Sequence, residues 1–251
     1  MVKVSMHAFA HVCDQYALLH AGGALGRGCG PLVVARKDSH LRPVSGRENA
    51  AGLADALSRA RVAVPGGLTT AALLAELFTG GLGKPLVMPF DRIMPAVAAG
   101  EVDAGVIIHE GRFTFGPYGL RRLLDLGEWW ESTADLPLPL GGIAVRRSLP
   151  GAVQSAVERA VRASLEQARA RPQTALEYAL RYAQEMDAAV CAAHIELYVN
   201  EFSIDYGSEG ERAIRHLLTV AGDVGVGEGR CAGLFWDDAV EPVDEDGAAA
   251  R

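Results

Sequence analysis

Cysteine is scarce in this chain, and the four that occur, Cys13, Cys29, Cys191 and Cys231, lie far apart. None forms a CxxC pair or joins a histidine at metal-ligand spacing, so no metal or dithiol centre is recognisable and all four read as reduced thiols. Basic blocks are missing as well. A net charge of -7 without any lysine- or arginine-rich run argues against a nucleic-acid partner held through phosphate contacts. No apolar run is long enough to cross a bilayer, and the N-terminus lacks a basic stretch leading into an apolar one. These absences predict a soluble, cytoplasmic protein, free of membrane, whose partner is a small molecule. A P-loop is absent too. The glycine-rich stretch 21–31 (AGGALGRGCGP) has no GKS or GKT ending, and its alternating Gly26, Gly28 and Gly30 lack the third, helix-opening glycine of a dinucleotide site. Its glycines permit close backbone approach, which predicts a structural or hinge role.

What is present is an ordinary globular balance, 49% apolar and 22% charged, in 251 residues, enough for one large domain or two modest ones. The chain is organised around 106–118, VIIHEGRFTFGPY. There an apolar run of strand character, 104–108, ends at His109 and Glu110, so groups capable of proton chemistry sit where a buried strand surfaces. In open α/β sheets ligands collect at the carboxyl ends of strands. Gly111, Arg112, Phe113, Phe115 and Tyr118 follow as a turn whose aromatics lean towards core packing. The plainer reading of His109 is a strand cap bonded to a neighbouring carbonyl.

Strands are predicted at 16–20, 32–35, 61–64, 86–89, 101–108, 120–126 and 138–146, with helices at 50–57, 69–78, 91–99 and 128–133. The turn 65–68 leads into Thr69 and Thr70 at a helix start. Unpaired amides and the positive end of the helix dipole face the same way there, which makes an anion site; simple capping is the alternative. Trp129 and Trp130 read as packing. The strands at 30–36 and 138–146 bracket a set of βα units, so the chain is expected to cross into a second lobe and return, leaving a cleft between lobes. Beyond Gly151 the spacing is helical. Pro172 opens a second helix, Asp187 caps a third, 200–207 is a connector, and Ser208 with Glu211 forms a capping box for the last. The acidic end reads as frayed.

Together these stretches resemble the 1,4-dihydroxy-6-naphthoate synthases of the futalosine route to menaquinone. The resemblance is carried by KVS at 3–5, GGALGRGCGPLVVAR at 22–36, RVAVPG and TTA within 61–71, VIIHEGRFTF and YGL within 106–120, DLGEWWE at 125–131, LPLPLG at 136–141 and YVNEFSIDYGSEGERA at 198–213. It implies a two-lobed α/β fold of the periplasmic-binding-protein type (type II), with the ligand between lobes. Residues 1–35 and 144–240 would form the first lobe, 36–143 the second, and 241–251 a disordered tail. It also implies that His109 is the general base. Lys3, Val4 and Ser5 would contact substrate from one lobe, and Thr70 and Ala71 from the other.

The implied reaction is a fragmentation of cyclic dehypoxanthine futalosine without any cofactor or metal, in which a base removes a proton, a carbon–carbon bond breaks and aromatisation follows. A neutral imidazole with an ordinary pKa of about 6.5 suits that base, and a helix tip suits the substrate carboxylate. Family members carry a further strand and an SPCPNDTF-type motif ahead of KVS, so the first lobe is expected to be incomplete in this chain. The competing readings are a sister chorismate dehydratase and a non-catalytic binder of the same fold.

Overall fold

The computed structural model describes residues 1–45, 50–183, 187–227, 231 and 233–238. The expected tail at 241–251, residues 46–49 of the expected second lobe and the last two residues assigned to the first lobe lie outside that set. Two sheets organise the chain. The first holds β1 (Val2–Ser5), β2 (Tyr16–Leu18), β3 (Ala24–Gly26) and β9 (Leu138–Arg146), with β9 pairing antiparallel to each of the others. The second has the order β6 (Leu86–Val87), β5 (Val62–Val64), β7 (Ala104–Ile107), β4 (Leu32–Arg36), β8 (Leu120–Asp125).

β4 belongs to the second sheet and β9 to the first, so the chain crosses at 27–31 and 135–137, ahead of the lobe boundaries expected at 35/36 and 143/144. Burial alone could not reveal this, because both strands are apolar on both faces. Along β4, Val33 and Ala35 enter one core cluster while Leu32 and Val34 enter another, following the two-residue period of a strand covered on both sides. One cover is α4 (Phe90–Ala99), which buries Ile93 and Val97 against that second cluster. The other face meets α2 (Ala50–Arg59), α3 (Thr70–Thr79) and α6 (Leu126–Ala134). Each fully buried Leu, Ile or Phe there contributes roughly 1.5–3 kcal/mol relative to exposure.

The first crossing explains one part of the glycine-rich stretch. A Cβ on Gly30 would stand 2.2 Å from the backbone nitrogen of Gly127 at the start of α6, so only glycine lets these backbones touch. Asp125 sits beside this contact, fully buried, and its Oδ1 caps α6 by accepting from the amides of Gly127 (2.9 Å) and Glu128 (3.2 Å).

The first sheet is backed by α1 (Met6–Ala10), α7 (Gly151–Ala170), α9 (Ala188–Tyr198), α10 (Glu201–Ile204) and α11 (Gly207–Asp223), while α8 (Pro172–Leu180) packs on α7 and α9. Asp187 caps α9 as expected, accepting from Ala189 and Val190. The box expected from Ser208 and Glu211 does not form. The chain starts α11 at Gly207, whose amide donates to Asp205 Oδ1 (2.8 Å), and Glu211 pairs with His20 Nδ1 (3.2 Å). The capping box forms instead between Asn200 and Ser203, at a short helix within the expected connector. The reduced-thiol reading also needs correction: Cys13, after α1, is joined to Cys231 in a disulfide across a separation of 218 residues, and only Cys29 and Cys191 stand outside it. A contact so remote in sequence has no local signature.

Candidate active site

β5 and β7 run parallel and adjacent, so their carboxyl ends emerge at one edge of the second sheet. β5 leads through a turn at 65–69 into α3, and β7 leads through Ile108 to His109. Strand pairing alone therefore places a helix N-terminus and an imidazole side by side. Across from them lie Lys3, Val4 and Ser5 of β1, together with Leu140 and Gly141 of its partner β9. All of these groups line one cavity of about 320 Å³ between the sheets, with Thr69, Thr70 and Ala71 on one wall and His194 and Tyr198 of α9 on another.

His109 is held in the left-handed region at φ 54°, a conformation that non-glycine residues seldom adopt. Its imidazole is open to the cleft, yet the walls crowding it displace water and lower its pKa, a fall that Glu110 partly opposes. The ring therefore starts neutral at neutral pH. Phe90 meets it edge-on, with centroids 5.2 Å apart, and among the described residues no hydrogen bond from the ring to a carbonyl is found.

Lys3 exposes part of its surface, while its ammonium end donates to Gly22 O and is crowded by the cleft walls. Burial lowers its pKa to about 8. At neutral pH it is the positive charge of the cavity. Thr69 caps α3, its hydroxyl accepting from Ala72 N (3.2 Å). The amides of Thr70 and Ala71 lie in the first turn, where no carbonyl of the same helix can reach them, and they are available to an anion.

The Thr70 hydroxyl is engaged between the lobes. It donates to Leu140 O (2.6 Å) and accepts from Met6 N (3.1 Å), tying the tip of α3 to the opposite lobe. Ser5 behaves similarly: its hydroxyl caps α1 by accepting from Ala8 N (2.9 Å) and donates across the gap to Leu68 O. Both side chains are committed to holding the lobes together, so backbone groups are what these positions present to a ligand.

Comparison with known proteins bears on which site this is. The chain matches the menaquinone biosynthesis family over residues 1–223. The chain belongs to that family. A curated relative, the 1,4-dihydroxy-6-naphthoate synthase of Streptomyces coelicolor, is 48% identical over 232 residues, spanning 90% of this chain and 77% of the relative. A crystal structure of a protein from Archaeoglobus fulgidus is 39% identical with a TM-score of 0.77, covering 89% of this chain and 78% of that one. The periplasmic aliphatic sulphonate binding protein SsuA of Escherichia coli, 15% identical, shares the fold at a TM-score of 0.60, over 93% of this chain and 77% of its own. The fold is thus the two-lobed, periplasmic-binding-protein type.

In this menaquinone biosynthesis family member the cavity gathers all six residues anticipated from sequence, His109, Lys3, Val4, Ser5, Thr70 and Ala71. It does not gather the aromatics. Phe113 and Tyr118 are exposed, and Phe115 packs against the second core cluster. Arg112 instead anchors the turn, donating to Gly30 O (2.7 Å) and to the buried Asp125 Oδ2 (2.6 Å). His194 and Tyr198 were not anticipated. Their spacing of four residues on a predicted helix, which puts two ring-bearing side chains on one face, was the available signal. Cys29 lines the cavity as an inert thiol, pushed up to about 12 chiefly by burial. No group of three or more metal-ligating side chains is found among the described residues.

Proposed function

We propose that this chain is a lyase, a 1,4-dihydroxy-6-naphthoate synthase acting on cyclic dehypoxanthine futalosine in menaquinone biosynthesis, with His109 as general base. The observation that carries the reading is one cavity holding an imidazole beside a helix tip, with an ammonium across from both. The substrate carboxylate would sit on the amides of Thr70 and Ala71, with Lys3 supplying the opposite charge. That fixes one end of the molecule and leaves the far end against His109. The ring takes a proton from the sugar-derived part, the electron pair left behind drives carbon–carbon cleavage, and aromatisation makes the step favourable. Val4 and Leu140 supply apolar wall for the fused rings. We place the protein in the cytoplasm.

The test is His109→Ala with cyclic dehypoxanthine futalosine as substrate, following naphthoate absorbance. A general base of this kind contributes about 10²–10⁴-fold to the rate, so turnover should fall by at least about a hundredfold with the fold intact by circular dichroism. Near-normal turnover in that variant sinks the assignment. A wild-type protein that binds the substrate and releases no naphthoate would mark a binder rather than an enzyme.

A further inference from the structure

We propose that His194 is a second working imidazole, one that passes the proton taken up by His109 to solvent through a separate cavity behind the pair. This rests on the reading of His109 as general base. The two ring centroids lie 6.0 Å apart. Both rings line the ligand cavity, and both also line a second cavity of about 320 Å³, whose walls include Phe90, Glu110, Val190 and Ile195. Among the described residues no other side chain borders both. The histidine pair is therefore the partition between a front compartment, with the helix tip and Lys3, and a rear one containing a carboxylate.

The reaction makes that partition useful. In each turnover a substrate C–H bond breaks, its electron pair stays with the substrate to expel the carbon fragment, and the proton ends on a nitrogen of His109. The base is regenerated only when that proton leaves. While ligand fills the front compartment, the open side is the rear one. At the observed separation one bridging water, or rotation of either ring, completes a hydrogen bond from the His109 imidazolium to neutral His194. His194 then releases the proton towards Glu110 and solvent.

His194 is suited to receive it. It lies one helical turn before Tyr198, whose ring packs against it with centroids 4.5 Å apart and limits its orientation. Burial lowers the pKa of His194, a charge on His109 lowers it further, and Glu110 partly opposes both. The other ionisable groups around it are Glu110 and Cys191 in the rear cavity and Lys3, Cys29 and Tyr198 in the front one.

The experiment compares His194→Gln and His194→Gly with wild type, using cyclic dehypoxanthine futalosine. With the relay removed, kcat should drop about tenfold to a hundredfold while KM stays within about twofold, and the solvent deuterium isotope effect on kcat should rise. Added imidazole should restore part of kcat in His194→Gly. A kcat within about twofold of wild type overturns the proposal, as does a loss with an unchanged isotope effect and no rescue, which is how a purely structural histidine would behave. If the variants unfold, histidine NMR decides: His109→Gln should raise the pKa of His194, and an unmoved value overturns the pairing. Continued activity of His109→Gln would instead remove the general base itself, whereas an inactive His109→Gln beside a fully active His194→Gln removes the relay alone.

Discussion

Two side chains give the site its working pH range. His109 must be neutral to accept a proton, and crowding by the cleft walls lowers its pKa, so the acidic limb of kcat/KM should lie below the ordinary histidine value of about 6.5. Lys3 must be charged to hold the carboxylate, and burial has brought it down to about 8, so kcat/KM should decline again as pH rises through about 8. A bell-shaped pH profile measured on the free enzyme checks both limbs at once. Replacing Lys3 by Met keeps the stem and deletes the charge. A charge-assisted hydrogen bond is worth about 1.5–3 kcal/mol, so KM should rise by about tenfold or more at pH 7 with the alkaline limb abolished. Retention of that limb in Lys3→Met would assign it to another group.

At the scale of elements, the site depends on how the strand ends and helix starts are fastened. The parallel pairing of β5 and β7 delivers the α3 tip and His109 to one edge, and the buried Arg112–Asp125 contact fastens the turn after His109 to the cap of α6. Gly30 and Gly127 meet at that point. Gly30→Ala would drive a methyl to 2.2 Å from the backbone of Gly127, and forcing the two segments apart costs about 1–3 kcal/mol. It should lower the urea midpoint and, by shifting the turn that carries Arg112, reduce kcat as well. Gly28→Ala is the control for the loop itself: nothing lies within 4 Å of a Cβ there, so only the cost of its positive φ should appear.

Across the whole molecule, the carboxy-terminal part is drawn back onto the first sheet. Leu18 N donates to Leu234 O (2.8 Å), Trp236 N donates to Leu18 O (3.1 Å), and the Cys13–Cys231 disulfide closes the same loop. Cys13→Ser should destabilise the protein by about 2–4 kcal/mol under non-reducing conditions, with no further loss on adding reductant. His20 is a second fastening: Nε2 contacts Asp237 Oδ1 (2.8 Å) and Nδ1 contacts Glu211 (3.2 Å). Burial alone would lower its pKa, but Asp237 and then Glu211 outweigh that and raise it. A raised histidine pKa stabilises the fold below about pH 6.5, and the benefit is lost as pH rises through the folded value. The difference in Tm between wild type and His20→Gln should therefore be largest near pH 6 and shrink in alkali.

Much of this molecule could be read from the order of its residues. Most of the longer strands and helices followed from local periodicity, because each buries its own apolar face: β9 occupies the predicted 138–146, and Asp187 caps its helix through bonds to residues two and three positions away, whereas the short β1, β3, α1 and α10 carried no such signal. The family-like segments also marked the residues around the cavity. What could not be read were outcomes decided between distant segments. Which sheet owns β4 or β9, whether Cys13 finds Cys231, and that the Thr70 hydroxyl finds Leu140 each depend on a partner in another part of the chain. His194 joined the site for the same reason. The sequence by itself determined the elements and the chemical types available to the cleft, since those depend on near neighbours; the tertiary structure alone decided which groups face each other across it, since burial and pairing are settled only once the two lobes close on one another.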